Sequence, residues 1–407
     1  MTDIDFIRSN FPAFSEPSLE GWGFFENAGG SYACGQTIEY LNRYYRETKV
    51  QPYYDFPASI RAGEQMDSSR RRMAAWLNVD DEEVHFGPST TQNTYVLAQA
   101  LRQHLSAGDE VIVTNQDHEA NIGAWRRLEN DGIVVREWQV DPDSGELRIQ
   151  DLQPLLTEKT QAVAFTHCSN IVGSINPVRQ ITDMIHAAGA VAIVDGVSYC
   201  PHGLPDVKAL GADVYLFSLY KVYGPHLGVM VMSRELNAQL PNQGHFFNAG
   251  LPRARFTPAG PDHAQIASVN GVMDYLEAVY AHHHDGAAPV ERKAEAIRKL
   301  FGDRESELLG PLLDFLAAHK KVRLIGKEAT SERAPTVAFT AREHSPAELA
   351  TQLSGYKLGI GVGHFYAYRL IEALGIDTDQ GVLRVSLVHY TSREEVDQLV
   401  FALDQLL

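Results

Sequence analysis

The chain has 407 residues, 44% of them hydrophobic and 21% charged, with a formal net charge of −17; that length predicts about two or three folding units, and the acidity argues against a nucleic-acid backbone as partner. Three widely spaced cysteines, Cys34, Cys168 and Cys200, argue against a disulfide framework. A charged start (Asp3, Asp5) is unlike a signal peptide, and no run approaches the roughly 20 apolar residues that span a bilayer, so a soluble, cytoplasmic protein is expected.

In chain order, the first 20 or so residues are too short to fold alone and are expected to pack on a C-terminal unit. Arg70-Arg71-Arg72 lies in helix-like sequence and reads as a solvated face. Ser89-Thr90-Thr91 can cap a helix that continues through Tyr95, Leu97, Ala98 and Leu101, spaced for one buried face. Apolar, β-rich runs follow at Glu110–Thr114, Ile133–Val140, Gln161–His167, Ala190–Asp195, Val214–Ser218 and Gly228–Met232. Between them, Pro177 opens a helix with Ile181, Ile185 and Ala188 inward and Gly189 as its stop. This alternation predicts a mostly parallel sheet covered on both faces. His282-His283-His284 would point in different directions on a helix, and no metal site is assigned there. Beyond about Ala281 the pattern changes. Glu291–Leu316, Ser345–Leu353 and Ser392–Leu407 read as helices, with Thr336–Thr340 and Gly381–Val388 as strands, a smaller α+β unit. The expected division is an N-terminal segment over 1–20, a large α/β domain over 21–281 and a small domain over 282–407.

Two strand ends carry chemistry. Lys221 follows the run Val214–Ser218 and precedes Gly224-Pro225, and Asp195 ends the run Ala190–Asp195. Both therefore belong at the carboxyl edge of the sheet, where open α/β sheets bind ligands. Either residue alone is equally a strand cap. Together they are the minimal protein contribution to pyridoxal phosphate (PLP) chemistry, a Schiff-base lysine and an acid for the pyridine nitrogen.

With these residues in place, the chain resembles a fold-type I PLP enzyme of the class V aminotransferase group, in its cysteine desulfurase/selenocysteine lyase-like branch. The likeness runs over nearly the whole length and is strongest at Phe86–Ala98, Asp117–Trp125, Ser169–Gly173, Val194–Gly196, Ser218–Pro225 and Leu383–Glu395. The resemblance implies that Lys221 holds PLP covalently and moves the substrate Cα proton, and that Asp195 keeps the pyridine nitrogen protonated. His118 would stack on the ring, and Asn170 would lie near its phenolic oxygen, although an Asn there is also a turn former. Thr90, Thr91 and Ser218 fall where the family binds phosphate, at a helix start that favours a dianion. Ser198 and Tyr220 complete the implied cofactor set. Arg384 matches the arginine that forks onto the substrate α-carboxylate, with Asn27, His364 and Tyr366 beside the substrate. The implied partners are a small amino acid and a second copy of the chain, with shared active sites.

The departures from the family pattern bear on the reaction. Tyr220 replaces a histidine before the lysine, and Ser198 a glutamine after the aspartate. The segment that reaches a neighbouring subunit's phosphate becomes Gly260-Pro261-Asp262-His263. In Gly361–Ala367, Tyr366 stands where desulfurases keep their persulfide-forming cysteine, and a phenol cannot carry sulfane sulfur. The expected reaction is β-elimination with C–S cleavage from a cysteine-derived substrate. The alternatives are transamination, epimerisation, desulfuration through another cysteine, and a catalytically silent PLP-fold sulfur-transfer partner.

Overall fold

The computed structural model describes residues 2–407. Its centre is a seven-stranded sheet: β1 (Val84–Gly87), β2 (Glu110–Thr114), β3 (Val134–Trp138), β4 (Thr160–Thr166), β5 (Val191–Asp195), β6 (Val214–Ser218) and β7 (Gly228–Met232). The spatial order is β1-β7-β6-β5-β4-β2-β3. Strands β2 to β6 pair in parallel, and β7 runs antiparallel to both β6 and β1. The mostly parallel sheet read from the sequence is therefore present, with β1 as an additional edge strand too short to register as an apolar run.

Alternation along these strands builds two cores. Ile112, Val163, Phe165, Val194, Phe217 and Val229 face one side; Val111, Val113, Ala164, Ile193, Leu216 and Met230 face the other. A period of two on a strand buried on both faces yields this division. Helices α1 (Pro57–Leu77), α2 (Thr90–His104), α3 (Val178–Ala187) and α4 (His263–His283) belong to this part of the chain. The sequence pattern gives no sign of α4, because Ile266 to Met273 are consecutively buried and the helix has no polar face to reveal its period.

After α5 (Val290–Ala318) comes a four-stranded antiparallel sheet of β8 (Val322–Ile325), β9 (Thr336–Ala341), β10 (Gly361–Gly363) and β11 (Val382–Ser386), in the order β10-β11-β9-β8. Val337, Phe339, Leu383 and Val385 pack there against Leu312 and Leu316 of α5, Leu349 and Leu353 of α6 (Pro346–Gly355), and Leu399 and Leu403 of α7 (Arg393–Leu406). The N-terminal stretch is tied down at Phe11, whose ring meets Tyr275 and Tyr390 edge-on, and at Arg8, which donates to the Tyr390 carbonyl at 2.9 Å. No helix among the described residues is long and apolar enough to cross a membrane.

Candidate active site

A cavity of about 450 Å³ opens at the carboxyl edge of the large sheet. Thr90 and Thr91 (after β1), His118 (after β2), Asn170 (after β4), Asp195 and Ser198 (end of β5), and Ser218, Tyr220 and Lys221 (end of β6) all line it. Parallel strands deliver these residues to one edge although the chain separates the first from the last by more than a hundred positions. Tyr366 reaches the same cavity from the loop after β10.

Lys221 ends a single helical turn, Leu219–Lys221, that follows β6. Its side chain is buried, and burial, reinforced by the nearby Arg384 charge and opposed by Asp195 and Glu26, pushes its ammonium down to about 8. Burial pushes the Asp195 carboxyl up to about 6, against the Val197 amide that donates to Oδ1 at 2.8 Å and the Lys221 charge. Behind it, His167 stacks on Tyr199 at 3.6 Å and shares a 2.9 Å hydrogen bond with the Tyr215 hydroxyl. Burial, with Lys221 and Arg384 nearby, drives His118 down to about 3, so its ring is neutral. His118 Nδ1 accepts from the Ala120 amide at 3.0 Å, which puts the ring proton on Nε2.

At the other end, α2 begins over the cavity with Ser89 as its cap, Oγ accepting from the Gln92 amide at 3.1 Å. The Thr90 and Ser218 hydroxyls share a 2.7 Å hydrogen bond. Gly228, the first residue of β7, backs this helix start: a Cβ there would lie 2.3 Å from the Ser89 carbonyl carbon and 2.5 Å from the Thr90 nitrogen. The Tyr220 ring stacks on His226 at 4.8 Å. His226, Tyr95, Val197 and Glu119 also line the cavity and are absent from the set read from sequence. His226 could have been found from its place in the Gly-Pro turn that follows Lys221.

The substrate-side residues divide. Tyr366 is exposed, and its ring lies 5.1 Å from that of His118. Phe365 and Tyr366 both have left-handed backbone, φ 46° and 58°, unusual for aromatic residues. Their carbonyls accept from Asn170 Nδ2 at 3.0 Å and from the Glu119 amide at 2.7 Å, which holds this loop over the cavity. His364 is not on the wall; its Nδ1 accepts from the Tyr366 amide at 3.1 Å and shapes the turn. Asn27 is also off the wall. Its amide donates to the Phe24 and Ser386 carbonyls at 3.2 and 2.9 Å and accepts from Tyr390, a structural set of bonds that fully engages it. Arg384 is buried on β11, stacked on Phe365 at 3.6 Å, with one guanidinium nitrogen on the Asn170 carbonyl at 3.1 Å and another paired with Glu26.

All three cysteines are buried. Cys168 borders the cavity, but burial pushes its thiol up to about 12. Cys34 and Cys200 pack elsewhere, beside Thr37 and Tyr215, and burial raises both. The arrangement combines a near-neutral amine, a buried acid, a neutral flat ring and a helix start with two hydroxyls around one cavity. Among the described residues no group of three or more His, Cys, Asp or Glu could hold a metal ion.

Comparison with known proteins agrees with this geometry. The family model for aminotransferase class-V matches residues 23–251 and 295–399. An aminotransferase-like protein of Gibberella zeae is 36% identical, over 99% of this chain and 98% of its own length. A cysteine desulfurase of Serratia proteamaculans is 29% identical over 99% and 98% of the two chains. Among solved structures, the cysteine desulfurase of Thermococcus onnurineus superposes with a TM-score of 0.86 at 21% identity, covering 100% of this chain and 99% of that one. A lysine and an aspartate converging at one sheet edge, within a match that runs almost from end to end, make this chain a member of the class-V aminotransferase family, an enzyme of fold type I in its cysteine desulfurase-like branch.

Proposed function

We propose that the protein is a PLP-dependent lyase that expels a β-thiolate from a cysteine-derived amino acid without forming a protein persulfide. The observation that carries this reading is the cavity's outer wall: Tyr366 occupies it, and every thiol of the chain is buried and held protonated.

The residues fit PLP. Asn170 Oδ1 is buried beside the cavity without a partner, as an acceptor facing a hydroxylated ring would be. The start of α2 with Thr90, Thr91 and Ser218 would seat the phosphate, Asp195 would face the pyridine nitrogen, and Lys221 would bind covalently. Bound PLP supplies an electron sink for the charge left at the substrate Cα.

The chain's own groups do the rest. Lys221 Nζ, with its depressed pKa, is a competent base for the Cα proton near neutral pH. Asp195, buried at the end of β5, would keep the pyridine nitrogen protonated, and neutral His118 would cover the ring face without adding charge. Arg384 orients the α-carboxylate. The products are one thiol, one pyruvate and one ammonium per substrate and water consumed. The protein would act as a homodimer with shared sites, and its free thiols suit a reducing cytoplasm.

A transaminase is the second reading, favoured by the relative named aminotransferase-like. The deciding experiment gives the purified, PLP-loaded protein a panel of amino acids and S-substituted cysteines. Thiol and pyruvate in equal amounts are expected. Sulfide with a persulfide on the protein identifies a desulfurase, accumulation of pyridoxamine phosphate a transaminase, and solvent deuterium at Cα without elimination an epimerase. Silence towards the whole panel overturns the lyase reading.

A further inference from the structure

Arg384 already holds a carboxylate that belongs to the chain itself. Glu26 reaches it from 358 residues away, in the segment after the two-residue strand Gly23–Phe24. The Glu26 carboxylate lies between two backbone segments that only glycine leaves open: a Cβ on Gly29 would come within 1.8 Å of Oε2, and one on Gly361 within 2.7 Å of Oε1. Its backbone is fixed, the carbonyl accepting from the Gly29 and Gly30 amides at 3.0 and 3.4 Å. The two partners differ in freedom. The Arg384 side chain is 2% exposed and clamped by Phe365 and Asn170, whereas the Glu26 side chain is 26% exposed and has solvent on one side. Of the two, Glu26 is the one that can move.

We propose that Glu26 is a specificity-determining residue: it occupies Arg384 in the free enzyme, yields it to the substrate's α-carboxylate, and then stands beside the substrate as a released negative charge that favours a cationic or donor-bearing side chain and rejects an acidic one. This rests on the reading of Arg384 as the α-carboxylate site. The exchange replaces one carboxylate by another on the guanidinium, so the buried cation is never left alone, which would be costly. What changes is Glu26, which loses its ion-pair partner while its segment stays fixed to the cavity wall, the Ser31 amide donating to the carbonyl of Tyr220 at 3.0 Å. A second carboxylate on the substrate then meets a like charge, and an ammonium meets an opposite one.

The test uses acids with a five-carbon chain that have no primary amine to exchange with Lys221: pentanoate, glutarate and δ-trimethylammoniopentanoate, titrated calorimetrically into the PLP-loaded protein. We expect δ-trimethylammoniopentanoate to bind at least about tenfold more tightly than glutarate, with pentanoate between them. Glu26→Gln should tighten pentanoate, because its internal competitor is gone, and should reduce the ratio between the two charged acids to near unity. Glu26→Asp, which keeps the charge but shortens its reach to Arg384, should tighten pentanoate and keep the discrimination. An unchanged ratio in folded Glu26→Gln overturns the proposal. If that variant does not fold, unchanged pentanoate affinity in Glu26→Asp overturns it instead. Arg384→Gln separates the underlying reading: it should abolish pentanoate binding, and retained binding would place the fault in the role of Arg384.

Discussion

The hydroxyls of Thr90 and Ser218 meet at 2.7 Å, one from the first turn of α2 and the other from the end of β6, so the helix start and the lysine-bearing strand converge on one point. We expect Ser218→Ala and Thr90→Val each to weaken PLP binding by about ten- to a hundredfold, since a hydrogen bond to a charged group contributes about 1.5–3 kcal/mol. The same variants should bind pyridoxal, which has no phosphate, nearly as the native protein does. Fluorescence titration of both ligands measures the difference.

Lys221 should react as an amine well below the pH of an ordinary lysine. Only the neutral form is nucleophilic, and lowering the pKa moves the neutral form to lower pH. In the cofactor-free protein, acylation of Lys221 followed by peptide mapping should therefore rise through a midpoint near pH 8, where a solvated lysine would need about 10.5. A midpoint at the ordinary value would remove Lys221 from its role as base. Borohydride reduction of the loaded protein should place the pyridoxyl group on the same residue.

Removing Arg384 should raise KM and lower kcat/KM. A charge-assisted bond lost from a buried site costs roughly 2–4 kcal/mol, or about 30- to 1000-fold in kcat/KM. Arg384→Gln also leaves Glu26 without its partner, so thermal melting of the variant must accompany the kinetics to separate misfolding from lost recognition.

Changing Cys34, Cys168 and Cys200 together to alanine should leave turnover within about twofold while lowering stability, because each fills core space and large-to-small changes leave voids. Mass spectrometry of the native protein during turnover should find no added sulfur on any of the three. A folded but inactive triple variant would return the desulfurase reading.

Phe246 and Phe247 stand side by side 87% and 68% exposed, their rings 5.3 Å apart and edge-on. Adjacent exposed aromatic rings are characteristic of an interface. We expect a homodimer in sedimentation equilibrium, and changing both Phe246 and Phe247 to Asp should shift it to monomer and, under the proposed sharing of sites through Gly260–His263, reduce activity.

Lys221 and Asp195 are legible in the sequence because an apolar strand that stops at a charged residue announces its own edge. The parallel pairing of β2 to β6 is legible from the alternation of apolar runs with helical patterns. What escapes reading depends on pairings that no local pattern carries. Asn27 looks like a substrate ligand until Tyr390 and Ser386 are seen to engage its amide. Glu26 has no motif of its own, and its partner lies at the far end of the chain. The left-handed backbone of Phe365 and Tyr366 is invisible too, since residues disposed to it would be glycine or asparagine.

The two sheets contribute to the cavity unequally. Lys221, Asp195, Thr90 and Ser218 line it from the edge of the large sheet, whereas Tyr366 enters from the loop that leaves the small one, and Arg384, on that small sheet, is held behind the wall on the carbonyl of Asn170. Selection can therefore act on substrate choice through Tyr366 and the loop between 363 and 367, while Arg384 on β11 and the residues at the edge of the large sheet, on which any amino-acid substrate would depend, stay intact. A change of substrate preference within one unaltered frame is open to a chain that distributes its residues in this way.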